Sequence, residues 1–199
     1  MQTLNDLDRA AFHHWISEAL EELQARIRFR IGQMADFEQT EKTECSDPRP
    51  NLTIPSLSSS QLLVSFLGEF SEDTVAQTAF VLAFAAQFAP EYLDDLHCRD
   101  SLTDRPLTAF GVYFSQNPPL LQVTWQTVAF LQAEQGADVL NILPFTHPSH
   151  PLYRRRCFIY PSQPVHYPLH IPLLLDLHTL QTWLYPGKAE DLRLRELAV

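Results

Sequence analysis

The sequence predicts a mainly α-helical protein with a small β-hairpin, an α+β arrangement in which a winged-helix-like domain follows a long N-terminal helix. Three observations lead to this prediction. A helical apolar period runs from Leu4 to Met34, and an almost wholly apolar stretch ends at Phe88. Two strand-like runs, "RRRCFIYP" and "PLHIPLLLD", come late in the chain and are followed by a further helical pattern. Helices followed by a hairpin are the outline of a winged helix.

The same patterns divide the chain into three parts. Residues 1–35 are predicted to form an amphipathic helix. Residues 36–57 show no sustained periodicity and contain three prolines, which stiffen a chain, so they are predicted to be a linker. Residues 58–199 are predicted to form the winged-helix-like domain.

The N-terminal helix is predicted to offer an apolar stripe, because its apolar residues recur at spacings of three and four. The residues predicted to contact a partner are Phe12, Trp15, Ile16, Leu20, Leu23 and Ile27. Such a helix is too long to pack along its whole length on a small domain. We therefore expect it to project and to bind another protein or a second subunit.

Residues that begin or end helices predict where the helices of the domain lie. Ser71 is predicted to cap the central apolar helix, and Pro90 to open a short helix that packs back on it. Thr124 is predicted to cap a helix that ends at about Ala133. Two further helices are expected over residues 137–143 and 176–185.

Composition limits the classes of partner. The formal net charge is −10, with 24 acidic residues against 14 Lys and Arg, which makes nucleic acid an unfavourable main partner.

Cysteine usage and the lack of apolar runs indicate the compartment. The three cysteines are widely spaced and form no CxxC pair, which is typical of a reducing compartment. The N terminus does not resemble a signal peptide, and the longest strong apolar run, Ala79 to Ala86, is far short of a membrane span. A cytoplasmic protein without a membrane partner is predicted.

Catalytic motifs are missing from the sequence. There is no G-x-S-x-G turn, and the one Gly-Lys pair, Gly187-Lys188, is followed by Ala189 where a nucleotide-binding loop needs Ser or Thr. Cys98 is predicted to be structural, as are the acids around it in "APEYLDDLHCRD". We therefore predict a protein that is not an enzyme, with no catalytic residue, no metal and no cofactor.

Two alternatives remain open at this point. Arg154 and Arg155 in "YRRRC" are also predicted to contact a partner, either phosphate or an acidic protein surface, and phosphate would suit a winged-helix regulator of DNA. The other alternative is a small metal-dependent hydrolase. Its candidate ligands are His147, His150 and His170, with the role of the neighbouring His166 left open.

Four segments carry a resemblance to a known family: "LAFAAQFAPEYLDDL", "DRPLTAFG", "TWQTVAFLQAE" and "VLNILPF". They resemble the N-terminal region of the AAA+ ATPases encoded with phage-tail-like contractile injection systems. The positions that match its central motif are Pro90, Asp104, Arg105, Phe110 and Gly111. The usual glycines of the middle connector are replaced here by "YFSQNPP".

The resemblance implies a docking domain that lacks the ATPase module. Its expected partners are proteins, namely components of the injection particle or a separate AAA+ motor. The N-terminal helix could also mediate oligomerisation. The expected function is that of a non-enzymatic adaptor accessory to the assembly or regulation of such a particle.

Overall fold

The computed structural model describes residues 6–38, 66–98, 110–114, 121–133, 139–162 and 165–184. This part of the chain is mainly α-helical, as predicted. The α-helices are α1 (Asp6–Glu38), α2 (Thr74–Phe88), α3 (Trp125–Gln132), α4 (Val139–Ile142), α5 (Pro151–Arg154) and α6 (Leu177–Leu184). Short 3-10 helices occur at Gly68–Phe70, Pro90–His97, Leu143–Thr146 and Pro168–His170. The strands are β1 (Tyr113–Phe114) and β2 (Leu121–Gln122).

Helix α1 packs along the body of the protein, so the expectation that it projects is wrong. All six residues of its apolar stripe that were predicted to contact a partner are at most 6% exposed and belong to the hydrophobic core. Helix α1 contacts α2, the Pro90–His97 helix and α3. The body is therefore extended enough to cover the apolar stripe, which buries it within the same molecule.

Polar contacts in the second half of α1 also tie this helix to the body. The guanidinium of Arg28 contacts the Asp95 carboxylate, with Nε and Oδ2 2.8 Å apart. Arg30 donates to the Phe130 carbonyl at 3.0 Å, and its guanidinium lies over the Phe130 ring. The acid-rich stretch that begins at Pro90 thus has a structural contact at Asp95, while Asp104 and Arg105 lie outside the described residues.

The boundaries of α1 differ slightly from the prediction. The helix continues through residues 36–38, which were assigned to the linker. The rest of that predicted linker, residues 39–57, lies outside the described residues.

Helix α2 is the buried centre of the fold, as predicted from its lack of a polar face. Residues Ala76 to Ala83 and Ala85 are all buried.

The N-cap of α2 was predicted wrongly. Asp73, rather than Ser71, accepts hydrogen bonds from the backbone N–H groups of Val75 and Ala76, at 2.8 and 3.1 Å. Ser71 instead contributes its carbonyl, which accepts a hydrogen bond from the Gln77 side chain at 2.6 Å.

Replacing Asp73 by Ala is expected to lower the free energy of unfolding by about 0.5–2 kcal/mol, because two amide groups lose their acceptor. Asp73→Asn is the matched control, since an Asn oxygen can still accept at this position. Urea denaturation of the three proteins measures the difference. Equal losses for Ala and Asn would contradict the assignment of Asp73 as the cap.

The predicted C-terminal hairpin is wrong in its position. Residues of the two strand-like runs meet in one isolated antiparallel bridge, between Phe158 and Leu175. Arg154 belongs to helix α5, and Pro168–His170 is a 3-10 helix, so neither run is extended over its full length. The small hairpin is formed by β1 and β2, where Tyr113 pairs with Gln122. The winged-helix arrangement stays a prediction.

The start of helix α3 is tied to the segment before β1. Thr124 caps the helix, as predicted, and forms a capping box with Thr127. The hydroxyl groups of both threonines donate to the Gly111 carbonyl, at 2.7 and 3.2 Å. The neighbouring Phe110 is buried, and its ring centroid lies 4.9 Å from that of Phe130. Two positions of the family-like motif therefore have a structural role here.

Candidate docking groove

An apolar groove of about 290 Å³ lies between the first half of α1, the second half of α2 and the last described helix, α6. Six of its lining residues are apolar and two are polar. They are Phe12, His13, Phe84, Phe88, Leu177, Leu180, Gln181 and Leu184.

The lining residues come from regular helical positions. Phe84 and Phe88 are one turn apart on α2, with ring centroids separated by 4.8 Å, and the Phe12 ring meets Phe84 edge-on at 6.4 Å. Leu177, Leu180 and Leu184 follow a spacing of three and four along α6, which puts them on one face of that helix. The groove thus combines aromatic and aliphatic side chains held by helices.

The start of α6 is fixed by a local hydrogen bond. Asp176 accepts the Thr179 N–H at 3.1 Å, the geometry of a helix N-cap. Leu177, the first residue of the helix, is thereby held next to the groove.

Two large apolar side chains at the groove remain partly in contact with solvent. Phe88 is 51% exposed and Leu177 is 44% exposed. Covering such surface is favourable by about 25 cal/mol per Å² of apolar area removed from water. His13 and Gln181 are the polar groups present, so the groove suits apolar side chains with a few hydrogen bonds at its edge.

Sequence reasoning identified little of this groove. Of the eight residues predicted to contact a partner, Phe12 alone lines the groove. The other five residues of the α1 stripe lie in the core, and Arg154 and Arg155 are exposed elsewhere. Phe84 and Phe88 were assigned to the buried helix, and Leu177 to the closing helix. The three-and-four spacing of the leucines in α6 was the available signal, and it did not reveal which elements lie beside them.

Arg154 and Arg155 are exposed and lie apart from the groove lining. A guanidinium nitrogen of Arg155 lies 3.9 Å from the Glu69 carboxylate, a weak exposed ion pair. A Cβ atom built on Gly68, which has a φ of +62°, would overlap the same guanidinium. Arg155 thus packs over the turn at Gly68, which is a structural contact beside its predicted partner-binding role.

The histidines considered as metal ligands have separate surroundings. The Nδ1 of His147 contacts the Ser149 hydroxyl at 2.5 Å, and the His170 ring lies near Tyr113 and Tyr167. His150 lies between the rings of Phe70 and Phe145, with both centroids 4.8 Å away, and its Nδ1 faces the Leu152 N–H at 3.4 Å. Among the described residues, no three His, Cys, Asp or Glu side chains are placed to hold a metal ion.

The two described cysteines make local contacts. Cys157 is buried and donates to the Phe66 carbonyl at 2.9 Å, and burial raises the pKa of its thiol to about 12. The Cys157 thiol is therefore protonated at neutral pH and is a poor nucleophile. Cys98 donates to the Asp95 carbonyl at 2.9 Å, in line with the structural role predicted for it.

His150 is expected to make stability depend on pH. Desolvation lowers the pKa of its imidazole, while the nearby Asp73 and Glu69 carboxylates oppose this shift. The unfolded chain then binds a proton more readily than the folded one. Stability is fully present above the ordinary His pKa of about 6.5 and falls as the pH drops through the lower folded pKa.

The measurement is urea denaturation between about pH 7.5 and pH 5, compared with His150→Asn. Asn keeps a cap acceptor but does not titrate, so the variant should lose less stability on acidification than the original protein. Identical pH profiles would show that His150 is not responsible.

None of the helices in the described ranges is long and apolar enough to cross a membrane. A comparison with family models, curated proteins and solved structures finds no match to this chain.

Proposed function

We propose that this chain is a non-enzymatic adaptor that binds a segment of a partner protein in the groove between α1, α2 and α6. The observation that carries the proposal is an apolar groove with Phe88 and Leu177 exposed at it. Exposed apolar side chains in a groove between helices are typical of sites that bind an apolar segment of another protein.

The small size of the groove favours the side chains of a protein segment over a small-molecule ligand. Pockets for small ligands typically measure about 300–1,000 Å³ and are mostly apolar, with a few polar groups that orient the ligand. This groove, at about 290 Å³, is at the lower limit, and His13 and Gln181 are its polar residues. It has room for a few apolar side chains of a peptide or helix.

The biological setting of the proposal rests on the family-like motifs alone. We propose that the partner is a component of a contractile injection particle or a separate AAA+ motor, and that the adaptor works in the cytoplasm during particle assembly. Helix α1 contributes to this function as one wall of the groove, with its apolar stripe covered by α2 and α3.

A pull-down with candidate particle proteins tests the adaptor function. The full chain is compared with a variant carrying both Phe88→Ser and Leu177→Ser, which removes apolar area where it is already exposed. The matched control carries Leu140→Ser and Ile159→Ser, at positions that are 74% and 48% exposed and lie outside the groove.

We expect the groove variant to lose at least about tenfold in partner affinity, equivalent to about 1.4 kcal/mol, and the control to change little. Thermal unfolding confirms that both variants are folded. Equal binding by all three proteins would remove the groove from the proposed function.

A further inference from the structure

The chain leaves the described part of the molecule at the wall of the groove. Leu184 is the last residue of α6 and the last described residue, and it is itself a lining residue of the groove. The segment that follows Leu184, residues 185–199, therefore starts directly beside the apolar site.

The first residues of this segment favour a change of chain direction. Pro186 has no backbone N–H and disfavours the helical conformation at Tyr185, so α6 is not expected to continue in a straight line. Gly187 can adopt the positive φ that tight turns require. A reversal at Pro186 and Gly187 would direct residues 188–199 back along the groove.

The segment is long enough to run along the α6 wall of the groove. Helix α6 has eight residues, which corresponds to about 12 Å at 1.5 Å per residue. The range 188–199 would measure about 18 Å as a helix and up to about 40 Å as an extended chain. It can therefore cover this wall in either conformation.

The composition of the segment suits an apolar groove. Leu192, Leu194, Leu197 and Val199 stand among six charged residues in the range 188–199. Leaving apolar side chains in water is unfavourable by about 25 cal/mol per Å². The groove also leaves apolar surface in contact with solvent. Docking of the segment would remove both surfaces from water at once.

From these observations we propose that residues 188–199 dock through their leucines in the groove of their own chain and compete there with the partner protein. The inference rests on the proposed function and adds the regulation of the same site. Residues 185–187 alone join the segment to the groove wall, which gives it an effective concentration on the order of 1 mM there. Even a weak contact, with a dissociation constant of roughly 0.3 mM, would then lower the apparent affinity of the partner about fourfold.

Residues 39–65 form the longest segment outside the described residues, and they are a poorer occupant. They follow Glu38, the end of α1, which lies 26 residues after the lining residue Phe12 and thus about 39 Å along the helix. They precede Phe66, which is buried in the core and is not a lining residue. Neither end of residues 39–65 therefore starts at the groove.

A second copy of the chain is also a poorer occupant. At about 10 µM protein, residues 188–199 of another copy are roughly a hundredfold less concentrated than the segment joined to the groove. The same leucines therefore reach the groove first from within their own chain.

A photoreactive benzoylphenylalanine in place of Phe88 identifies what contacts the groove. The full chain is irradiated at about 10 µM, where contacts within one chain are favoured. Monomers and dimers are separated, and the cross-linked peptides are identified by mass spectrometry. The matched control carries the same amino acid in place of Ile159, which is 48% exposed and lies outside the groove lining.

Two variants of the full chain test the part played by the leucines. The leucine variant carries Leu192→Ser, Leu194→Ser and Leu197→Ser. The charge control carries Arg193→Ser and Arg195→Ser, which alters the same stretch but keeps its apolar side chains. Thermal unfolding confirms that both variants are folded, and both are also used in the pull-down with particle proteins.

We expect position 88 to cross-link to residues 188–199 within one chain, and position 159 to give no such product. The yield should fall at least about threefold in the leucine variant and remain unchanged in the charge control. The leucine variant should also bind the particle protein at least about threefold more tightly than the original protein, because its groove is free for a larger fraction of the time.

The inference is overturned if position 88 cross-links to residues 39–65 instead, to a second copy in the dimer, or to no part of the chain. A leucine variant that binds the particle protein no more tightly than the original protein also overturns it. If particle proteins still depend on the groove in that case, the adaptor function stands and the proposed regulation is wrong. Cross-links to residues 188–199 combined with pull-down binding that ignores Phe88→Ser/Leu177→Ser would defeat the adaptor function and the competition, while the docking within the chain would stand.

Discussion

Replacing Ile27 by Ala is expected to lower the free energy of unfolding by about 2–5 kcal/mol. Ile27 is 0% exposed and lies in the part of α1 that packs on the body of the protein. The substitution removes methyl and methylene groups from the core and leaves a cavity that the surrounding helices can fill only in part. Helix propensity works in the opposite direction by a few tenths of a kcal/mol, so the cavity dominates.

Met34→Ala is the matched control on the same helix, because Met34 is 38% exposed. A substitution at an exposed site usually changes stability by about 0.5 kcal/mol or less. Urea denaturation at neutral pH gives both values. If Ile27→Ala cost no more than Met34→Ala, α1 would not be packed against the body, and the projecting helix expected from the sequence would regain support.

Replacing Gly111 by Ala is expected to cost about 2–4 kcal/mol, through backbone strain and overlap acting together. Gly111 has a φ of +66°, where a residue with a Cβ atom costs about 1–2 kcal/mol. The added Cβ would also lie 2.5 Å from the Gln126 Cβ and 2.9 Å from the Thr124 hydroxyl oxygen. Relief of the overlap would move the Gly111 carbonyl away from the two threonine hydroxyls that cap α3.

Gly32→Ala is the control, and its effect should have the opposite sign. Gly32 lies inside α1, and outside the neighbouring backbone of its own helix no atom lies within 4 Å of the position its Cβ would take. Ala there is expected to add about 0.5–1 kcal/mol of stability. Gly111→Asn separates the two effects, since Asn tolerates positive φ but keeps the overlap. Denaturation of the three variants measures these values, and equal changes at Gly111 and Gly32 would contradict the role given to Gly111.

The elements with strong local signals were predicted well. Helix α2 follows from its apolar composition, helix α3 from the Thr124 cap, and the short helix at Pro90 from the proline that opens it. Each of these signals acts within a few residues of the element that it defines. The prediction of Ser71 as the cap failed because Ser and Asp both cap helices and the sequence does not show which backbone N–H groups are left unpaired.

The errors concern contacts between distant segments. An apolar stripe shows that a helix must be covered, but not whether the cover comes from the same chain, and this is why α1 was expected to project. The late strand-like runs meet in one bridge because a helix and a proline-opened turn interrupt them. The groove requires Phe88 and Leu177 to be neighbours, and no local pattern relates α2 to α6.

The packing of α1 has a consequence for how this chain is made. During synthesis α1 leaves the ribosome before the helices that cover it, and Arg30 finds its acceptor at Phe130, 100 residues later in the chain. At translation rates of about 5–20 residues per second, the nascent helix waits roughly 5–20 s for that part of its cover. Until then part of the apolar stripe of α1 can bind chaperones or aggregate. We therefore expect the yield of folded protein to depend on chaperone supply, even if the folded protein itself is stable.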